Sequence, residues 1–195
     1  MASFLGAVLV LAVAFPILAG PVMAVRPNVV PFQSIFQKVA GARWVDRAAQ
    51  GLTESGGARH GIFYMDPQAV SCTGARGITQ FEPSCWTWSQ GLGWIPKGAD
   101  PTDPTMDIQA QHQYMLWLEA RTQHDLDAAL ASYNAGLGNI YKAQRIADAL
   151  GMRDHGAWLR TLLQVTKKNA AQTIGYVARN ATFRATIKAK AGEAH

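Results

Sequence analysis

The chain has 195 residues, of which 49% are hydrophobic and 16% are charged. This composition excludes a disordered polymer, and the length suits one globular domain with a short appendage. The formal net charge of +5 favours an anionic partner, but Lys and Arg form no dense run apart from Lys167-Lys168 and the C-terminal tail, so no specific nucleic-acid partner is expected.

The N-terminal segment, residues 1–25, is apolar and carries no charged side chain. A signal peptide fits because the apolar core is followed by the small residues that a signal peptidase reads, in Gly20-Pro21 and Val22-Met23-Ala24. A membrane anchor also fits, because about 20 apolar residues span a bilayer. Both interpretations place the following domain, residues 26–185, across a membrane or outside the cell.

The stretch WVDRAAQGL spaces Trp44, Ala48 and Leu52 as one apolar face of a helix, and Ser55-Gly56-Gly57 ends it. Glu54 then lies in the last turn, beside the buried face and near the negative end of the helix dipole. Both effects raise the pKa of a carboxyl, which is how a general acid keeps its proton near neutral pH. The alternative is an ordinary solvated glutamate at a helix end.

A glycine-rich turn follows in GARGITQF, residues 74–81, where two glycines three positions apart indicate a close backbone approach. Cys72 and Cys85 flank this turn. They would either form a disulfide that braces the loop or remain two buried thiols, because spacing alone does not fix the geometry. The scattered histidines do not pair with cysteine at zinc-ligand spacing, so no metal or other cofactor is expected.

The apolar spacing in most of the remaining sequence predicts helices, so the predicted fold class is mainly α. Asp103-Pro104 is a helix cap followed by proline at the first position. Sustained period-two alternation is missing from the sequence. Residues 186–195 are basic and thinly apolar and are expected to be a frayed or docked tail. The predicted helical stretches are residues 106–121, 125–136, 138–151, 155–165 and 170–180.

Three motifs in this order resemble the soluble lytic transglycosylase family of the lysozyme-like superfamily. The first is a Glu-Ser pair followed by a Ser, Gly-Ala, Gly, Gln and Pro pattern, matched here by Glu54, Ser55, Ser71, Gly74, Ala75, Gly77, Ile78, Gln80 and Pro83. The second is Tyr-Asn-Ala-Gly, at Tyr133 and Asn134 within LASYNAGLGNI. The third is QTIGYV, which contains Tyr176 and has Gln172 where the family usually has Glu. The resemblance covers about residues 40 to 180 and implies a lysozyme-like helical domain; the family's usual Asn-Ile appears here as Asp107-Ile108.

The resemblance implies cleavage of the β-1,4 bond between N-acetylmuramic acid and N-acetylglucosamine in peptidoglycan, with a 1,6-anhydro product. Glu54 would be the catalytic acid and then the base, and the other matched positions would bind substrate. Ser55 and Gln80 would orient the substrate acetamido group and Glu54, backbone at Gly77 and Ile78 would line the cleft, and Tyr133 would hydrogen-bond near Glu54. Asn134 would hold a loop or an acetamido group, and Ser71 and Tyr176 complete the set.

Two alternatives stay open. A hydrolytic muramidase would need a second acid or a positioned water, and Asp66 and Glu82 are the nearest carboxylates in sequence. A non-catalytic component of an envelope-crossing machine would only grip glycan. The predicted partners are peptidoglycan strands, a membrane anchor site, and the proteins of a phage virion or of a conjugation or secretion apparatus, and the expected location is the periplasm, the cell envelope or a virion that acts in the host periplasm.

Overall fold

The computed structural model describes residues 28–154 and 156–193, so the predicted signal or anchor segment lies outside the described residues. The regular secondary structure of the described part consists of helices and one hairpin, which confirms the mainly α prediction. No helix within it is long and apolar enough to cross a bilayer. The elements are α1 (Gln33–Ala40), α2 (Trp44–Ser55), β1 (Gly56–Arg59), β2 (Ile62–Met65), α3 (Pro83–Gly91), α4 (Pro104–Arg121), α5 (Leu126–Ala135), α6 (Leu137–Ala149), α7 (Ala157–Thr166) and α8 (Ala170–Glu193).

Local sequence signals set the ends of the helices that carry the site. The Asp103 carboxylate accepts hydrogen bonds from the backbone N–H groups of Thr105 and Met106 at the start of α4. Asp125 accepts one from Ala128 at the start of α5, and Gly136 ends α5 with a φ of +87°. These are the side-chain cap and the glycine stop that relieve unpaired backbone groups at helix termini.

A short antiparallel hairpin follows α2 directly, and the sequence did not predict it. β1 pairs with β2 from Gly56 opposite Met65 to Arg59 opposite Ile62. Phe63 and Met65 are buried while their neighbours in β2 are exposed, but two such pairs are too few residues to establish a period of two. The hairpin continues the wall that begins at the C-terminal end of α2.

Two buried apolar clusters flank the site, and α8 belongs to both. One joins α4 to α8 around Met115, Leu130 and Leu162, and the other joins α1, α2 and α8 around Phe36 and Ile187. Ile187 is fully buried. Residues 186–193, predicted as a frayed or docked tail, are therefore part of the last helix, because an apolar residue beyond the predicted end packs into the core.

A buried ion network fixes α2 against α4. Glu119 pairs with Arg43 at 2.6 Å and with the fully buried Arg47 at 2.7 Å. Gln111 donates a hydrogen bond of 3.0 Å to the backbone carbonyl of Arg47. Because these contacts cross between the two helices, they set the position of the helix that ends in Glu54.

Cys72 and Cys85 are free thiols, the first exposed and the second half-buried. The disulfide that the sequence left open is therefore not formed in this structure. Burial raises the pKa of the Cys85 thiol, which keeps it protonated near neutral pH. The loop between them is held instead by hydrogen bonds of its own residues.

Candidate active site

Glu54 lies in the last turn of α2, where its carboxyl is largely withdrawn from water. Burial raises the pKa of this carboxyl from 4.5 to about 7. The hydrogen bond from Tyr176 and the charge of Arg179 act in the opposite direction, and the carboxyl of Asp107 adds to the increase. Glu54 is thus poised to give a proton and to take one back close to neutral pH.

The direct partner of Glu54 is Tyr176 of α8, whose hydroxyl donates a hydrogen bond of 2.7 Å to Glu54 Oε1. The Tyr133 hydroxyl instead donates at 2.8 Å to the backbone carbonyl of Thr79. Burial raises the pKa of both phenols well above 10, so both remain neutral donors. Tyr133 is close enough to Glu54 for the two groups to interact, but its hydroxyl bonds to Thr79, and Tyr176 makes the direct hydrogen bond to Glu54.

The turn at residues 77–80 requires its glycine. Gly77 has a φ of +81°, and a Cβ there would lie 2.6 Å from Asp107 Oδ2. Gln80, with a φ of +54°, donates from Nε2 to the carbonyls of Gly77 and Ala69 at 2.9 and 3.2 Å. The Ile78 side chain is fully buried in the core. The turn is braced from within by Gln80, and the buried Ile78 side chain is not available to a ligand.

The remaining predicted binding residues divide into braced and open groups. Ser71 shares a 2.9 Å hydrogen bond with Thr73 and accepts another of 2.9 Å from the backbone N–H of Ala75, so it closes its own loop. Asn134 accepts a hydrogen bond of 2.9 Å from Thr173. The buried hydroxyl of Ser55, next to Glu54, has no hydrogen-bond partner among the described residues. The Ser55 hydroxyl therefore has unused hydrogen-bonding capacity beside Glu54.

A polar cavity of about 230 Å³ lies one helical turn from Tyr176 along α8. It contains the predicted Asn134 together with Gln172. Its lining side chains carry amides, hydroxyls and no charge, so the cavity suits neutral hydrogen-bonding groups such as sugar hydroxyls and acetamides. The lining residues are Asn134, Ala135, Asn139, Thr166, Asn169, Gln172 and Thr173.

Asp107, in the first turn of α4, is the residue that the site analysis of the sequence missed. It is fully buried and accepts hydrogen bonds from the backbone N–H groups of Ile78 and Thr79 and from the Thr79 hydroxyl. Burial raises its pKa to about 7. The signal for it was the acidic residue at Asp107-Ile108, where the resemblance led us to expect Asn.

The two carboxylates that sequence proximity offered as second acids bond locally. Asp66 is exposed and accepts a 2.8 Å hydrogen bond from the Gln68 backbone N–H. Glu82 is exposed and accepts one of 2.6 Å from Thr73. Within residues 28–154 and 156–193, no group of three or more His, Cys, Asp and Glu side chains is arranged to hold a metal ion.

Part of the chain is similar to a known domain family. Residues 64–155 match the family model described as the transglycosylase SLT domain. The match covers slightly less than half of the chain. The matched range of the SLT domain contains Ser71, Gln80, Tyr133 and Asn134, whereas Glu54 and Tyr176 lie on either side of it.

Curated relatives that match this chain carry the name membrane-bound lytic murein transglycosylase F. The protein from Haemophilus influenzae (strain PittGG) is 30% identical over 132 residues, covering 64% of this chain and 24% of the relative. The protein from Maricaulis maris is 34% identical over 121 residues, covering 59% of this chain and 23% of the relative. The chain thus spans about a quarter of the length of the curated relatives it matches.

Solved structures of lytic transglycosylases share the mainly helical fold of this chain. The 70-kDa soluble lytic transglycosylase of Escherichia coli superposes with a TM-score of 0.67 at 20% identity, over 83% of this chain and 24% of that one. The same enzyme has also been solved in complex with bulgecin A, with a TM-score of 0.67 at 21% identity. An inactive Glu-to-Gln variant of lytic transglycosylase Slt from Pseudomonas aeruginosa superposes with a TM-score of 0.63 at 19% identity, over 83% of this chain and 24% of that one.

Proposed function

We propose that this protein is a peptidoglycan lytic transglycosylase, which cleaves the β-1,4 bond between N-acetylmuramic acid and N-acetylglucosamine and leaves a 1,6-anhydro end. The observation that carries the proposal is the buried carboxyl of Glu54, with a pKa of about 7 and a single phenolic donor from Tyr176. The SLT domain and the lytic murein transglycosylase names of its relatives support it.

In the first step, protonated Glu54 gives its proton to the oxygen of the leaving sugar as the glycosidic bond breaks. The N-acetyl group of the muramyl residue supports the positive charge that develops at the anomeric carbon. The Tyr176 hydroxyl, 2.7 Å from Glu54 Oε1, stabilises the carboxylate that results. One carboxyl is enough for this step because the substrate supplies the second nucleophilic group.

In the second step, the Glu54 carboxylate takes the proton of the muramyl 6-hydroxyl. The oxygen of that hydroxyl forms the new bond to the anomeric carbon and displaces the N-acetyl oxygen from it. The N-acetyl group stays on the sugar, and the ring closes without water. The proton count balances, because Glu54 ends the cycle protonated as it began. A carboxyl with a pKa of about 7 suits both steps, since neither its acidic nor its basic form is scarce at neutral pH.

Substrate contacts follow from the groups that the protein leaves available. Ser55, buried beside Glu54 and without a protein partner among the described residues, is assigned to the acetamido group or to Glu54. The uncharged cavity that contains Asn134 and Gln172 is assigned to hydroxyl and acetamido groups of a neighbouring sugar. Ser71 and Gln80 act through the loop that they brace, and Gly77 and Ile78 through their backbone.

A muramidase that uses two carboxylates is the second candidate. An inverting glycosidase separates its carboxyl groups by roughly 6.5 to 9.5 Å to admit water, and a retaining one by about 5 Å. Asp66 and Glu82 are exposed and bonded within their own loops, and Asp107 is enclosed by three donors. These contacts favour the route that needs Glu54 alone.

We place this activity in the cell envelope, because the relatives are named as membrane-bound enzymes that act on murein. The apolar residues 1–25 and the net charge of +5 agree with a wall-facing protein held at a membrane. The narrower setting that we propose is local opening of the wall, either by a phage particle that acts in the host periplasm or by a conjugation or secretion apparatus.

The test is digestion of purified peptidoglycan by the full chain and by its Glu54→Gln variant, with the released muropeptides identified by mass spectrometry. We expect products lighter by one water than the reducing-end forms, and none of them from the variant. Glu82→Gln, the same chemical change at an exposed site, serves as the matched control and should remain active. Hydrated reducing ends would indicate a muramidase, and glycan binding without cleavage by the unaltered chain would indicate a structural component.

A further inference from the structure

Asp107 lies close enough to Glu54 for the two carboxyls to interact, and this interaction raises the pKa of Glu54. Its carboxylate accepts from the backbone N–H groups of Ile78 and Thr79 and from the Thr79 hydroxyl, so it holds the turn at residues 77–80 from behind. The backbone carbonyl of Thr79 in turn accepts a hydrogen bond from the Tyr133 hydroxyl. A continuous chain of contacts therefore runs from Asp107 through Thr79 to Tyr133.

The backbone beside Asp107 is too closely packed to accept an additional side-chain atom. A Cβ on Gly77 would clash with Asp107 Oδ2 and with the backbone carbonyl of Pro101. Asp107 is also fully buried, so water does not compete for its oxygens. The carboxylate therefore has one orientation, and its charge is fixed relative to the cleft.

Four titratable or charged groups act on Glu54, from three helices. Tyr176 and Arg179 lie on α8, Tyr133 on α5 and Asp107 on α4. The two phenols are neutral because burial raises the pKa of each. Arg179 is exposed, so solvent and salt screen its charge. Among the described residues, Asp107 is then the buried group that can bring a second negative charge to the site.

Two carboxyls that interact in a buried site do not both ionise readily, so the donors around each decide which one holds the proton. Three groups donate hydrogen bonds to Asp107, two of them backbone N–H groups, whereas Tyr176 alone donates to Glu54 among the described residues. Hydrogen bonds to the ionised form favour that form. When one of the two carboxyls is ionised and the other is protonated, these donors therefore favour the charge on Asp107 and the proton on Glu54.

We propose that Asp107 is a positioning residue for catalysis: a fixed buried anion behind the cleft wall that keeps the proton on Glu54. It does not touch the substrate, because its side chain is fully buried. The proposal rests on the proposed transglycosylase activity, in which a proton held by Glu54 starts each cycle.

The first test is a titration of the full chain, labelled with ¹³C at the side-chain carboxyls of Asp and Glu and followed by NMR. Glu54→Gln and Asp107→Asn identify the two resonances. We expect the Asp107 resonance to show the ionised form at a pH where Glu54 is still protonated. Ionisation of Glu54 while Asp107 keeps its proton would overturn the proposal, and this readout does not require the protein to cleave glycan.

The second test compares Asp107→Asn with the unaltered chain. Removal of the like charge should lower the midpoint of the Glu54 titration by about one pH unit. The alkaline limb of glycan cleavage should move to lower pH by the same amount, since the acid must be protonated. Asp148→Asn, which removes one charge from an exposed site on α6, should shift neither.

A folded Asp107→Asn protein with an unchanged Glu54 midpoint would leave Asp107 with a purely structural role and refute the proposal. If the Asp107→Asn variant does not fold, the order in which Asp107 and Glu54 ionise in the unaltered chain decides whether the proposal holds. If the unaltered chain cleaves no glycan but shows the expected order of ionisation, the proposed function is refuted and the coupling of the two carboxyls stands.

Discussion

Replacement of Glu54 by Gln should stabilise the protein at neutral and alkaline pH. The folded-state pKa of Glu54 is about 7, compared with 4.5 for the free side chain, so the unfolded chain loses its proton first. Stability therefore falls as pH rises from about 4.5 to about 7 and is then constant, with each unit of pKa difference equivalent to about 1.4 kcal/mol. The cost of ionising Glu54 in the folded state is about 3 kcal/mol above pH 7.

The assay is urea unfolding of the full chain and of Glu54→Gln between pH 4 and pH 8. Glutamine retains a carbonyl oxygen that can accept from Tyr176, so the variant lacks the charge but keeps the acceptor. We expect the two proteins to be equally stable near pH 4 and to separate by about 3 kcal/mol at pH 8, with the variant more stable. Equal stabilities at every pH would refute the account of Glu54 as a carboxyl that burial keeps protonated. Glu82→Gln is the exposed control and should follow the unaltered chain.

The other predictions concern the groups around Glu54. Tyr176→Phe removes the donor 2.7 Å from Glu54, so the pKa of Glu54 should rise by about one unit and the alkaline limb of peptidoglycan cleavage should move to higher pH by that amount. An unchanged limb would exclude that hydrogen bond from the working enzyme. Gly77→Ala places a Cβ against Asp107 at a φ of +81°, so it should cost about 2 kcal/mol or more in urea unfolding. Gly138→Ala, in a helix with open space at that position, is the matched control and should cost nothing.

The sequence was sufficient to predict the helix that carries Glu54. Apolar residues recur with helical spacing from Trp44 to Leu52, and Gly56 follows the end of α2 at Ser55. The cap of α4 at Asp103 and the stop of α5 at Gly136 are also local signals, and the structure has both. These features depend on neighbours within a few positions, which is the range over which sequence patterns are informative.

The contacts that tune Glu54 join distant parts of the chain, so periodicity carried no information about them. Tyr176 is 122 positions from Glu54, and Asp107 is 28 positions from Thr79. Motif resemblance identified Tyr133 and Tyr176 as site residues but did not separate their roles. The hydroxyl of Tyr176 reaches Glu54 because α8 packs against α2, and Tyr133, on α5, meets Thr79 instead.

The same burial that makes Glu54 useful makes it costly to the fold. A carboxyl kept from water resists ionisation, so the protein loses stability above pH 5 in proportion to the pKa increase that supplies its acid. The surrounding structure offsets this through contacts far from the chemistry, among them the Arg47 to Glu119 ion pair that holds α2 against α4. Asp107 lowers the stability further, because burial of a second carboxyl near Glu54 adds its own desolvation cost. Neutral side chains would suffice to grip a glycan, whereas proton transfer to a glycosidic oxygen requires an acid that is still protonated near neutral pH, and the raised pKa of Glu54 supplies one.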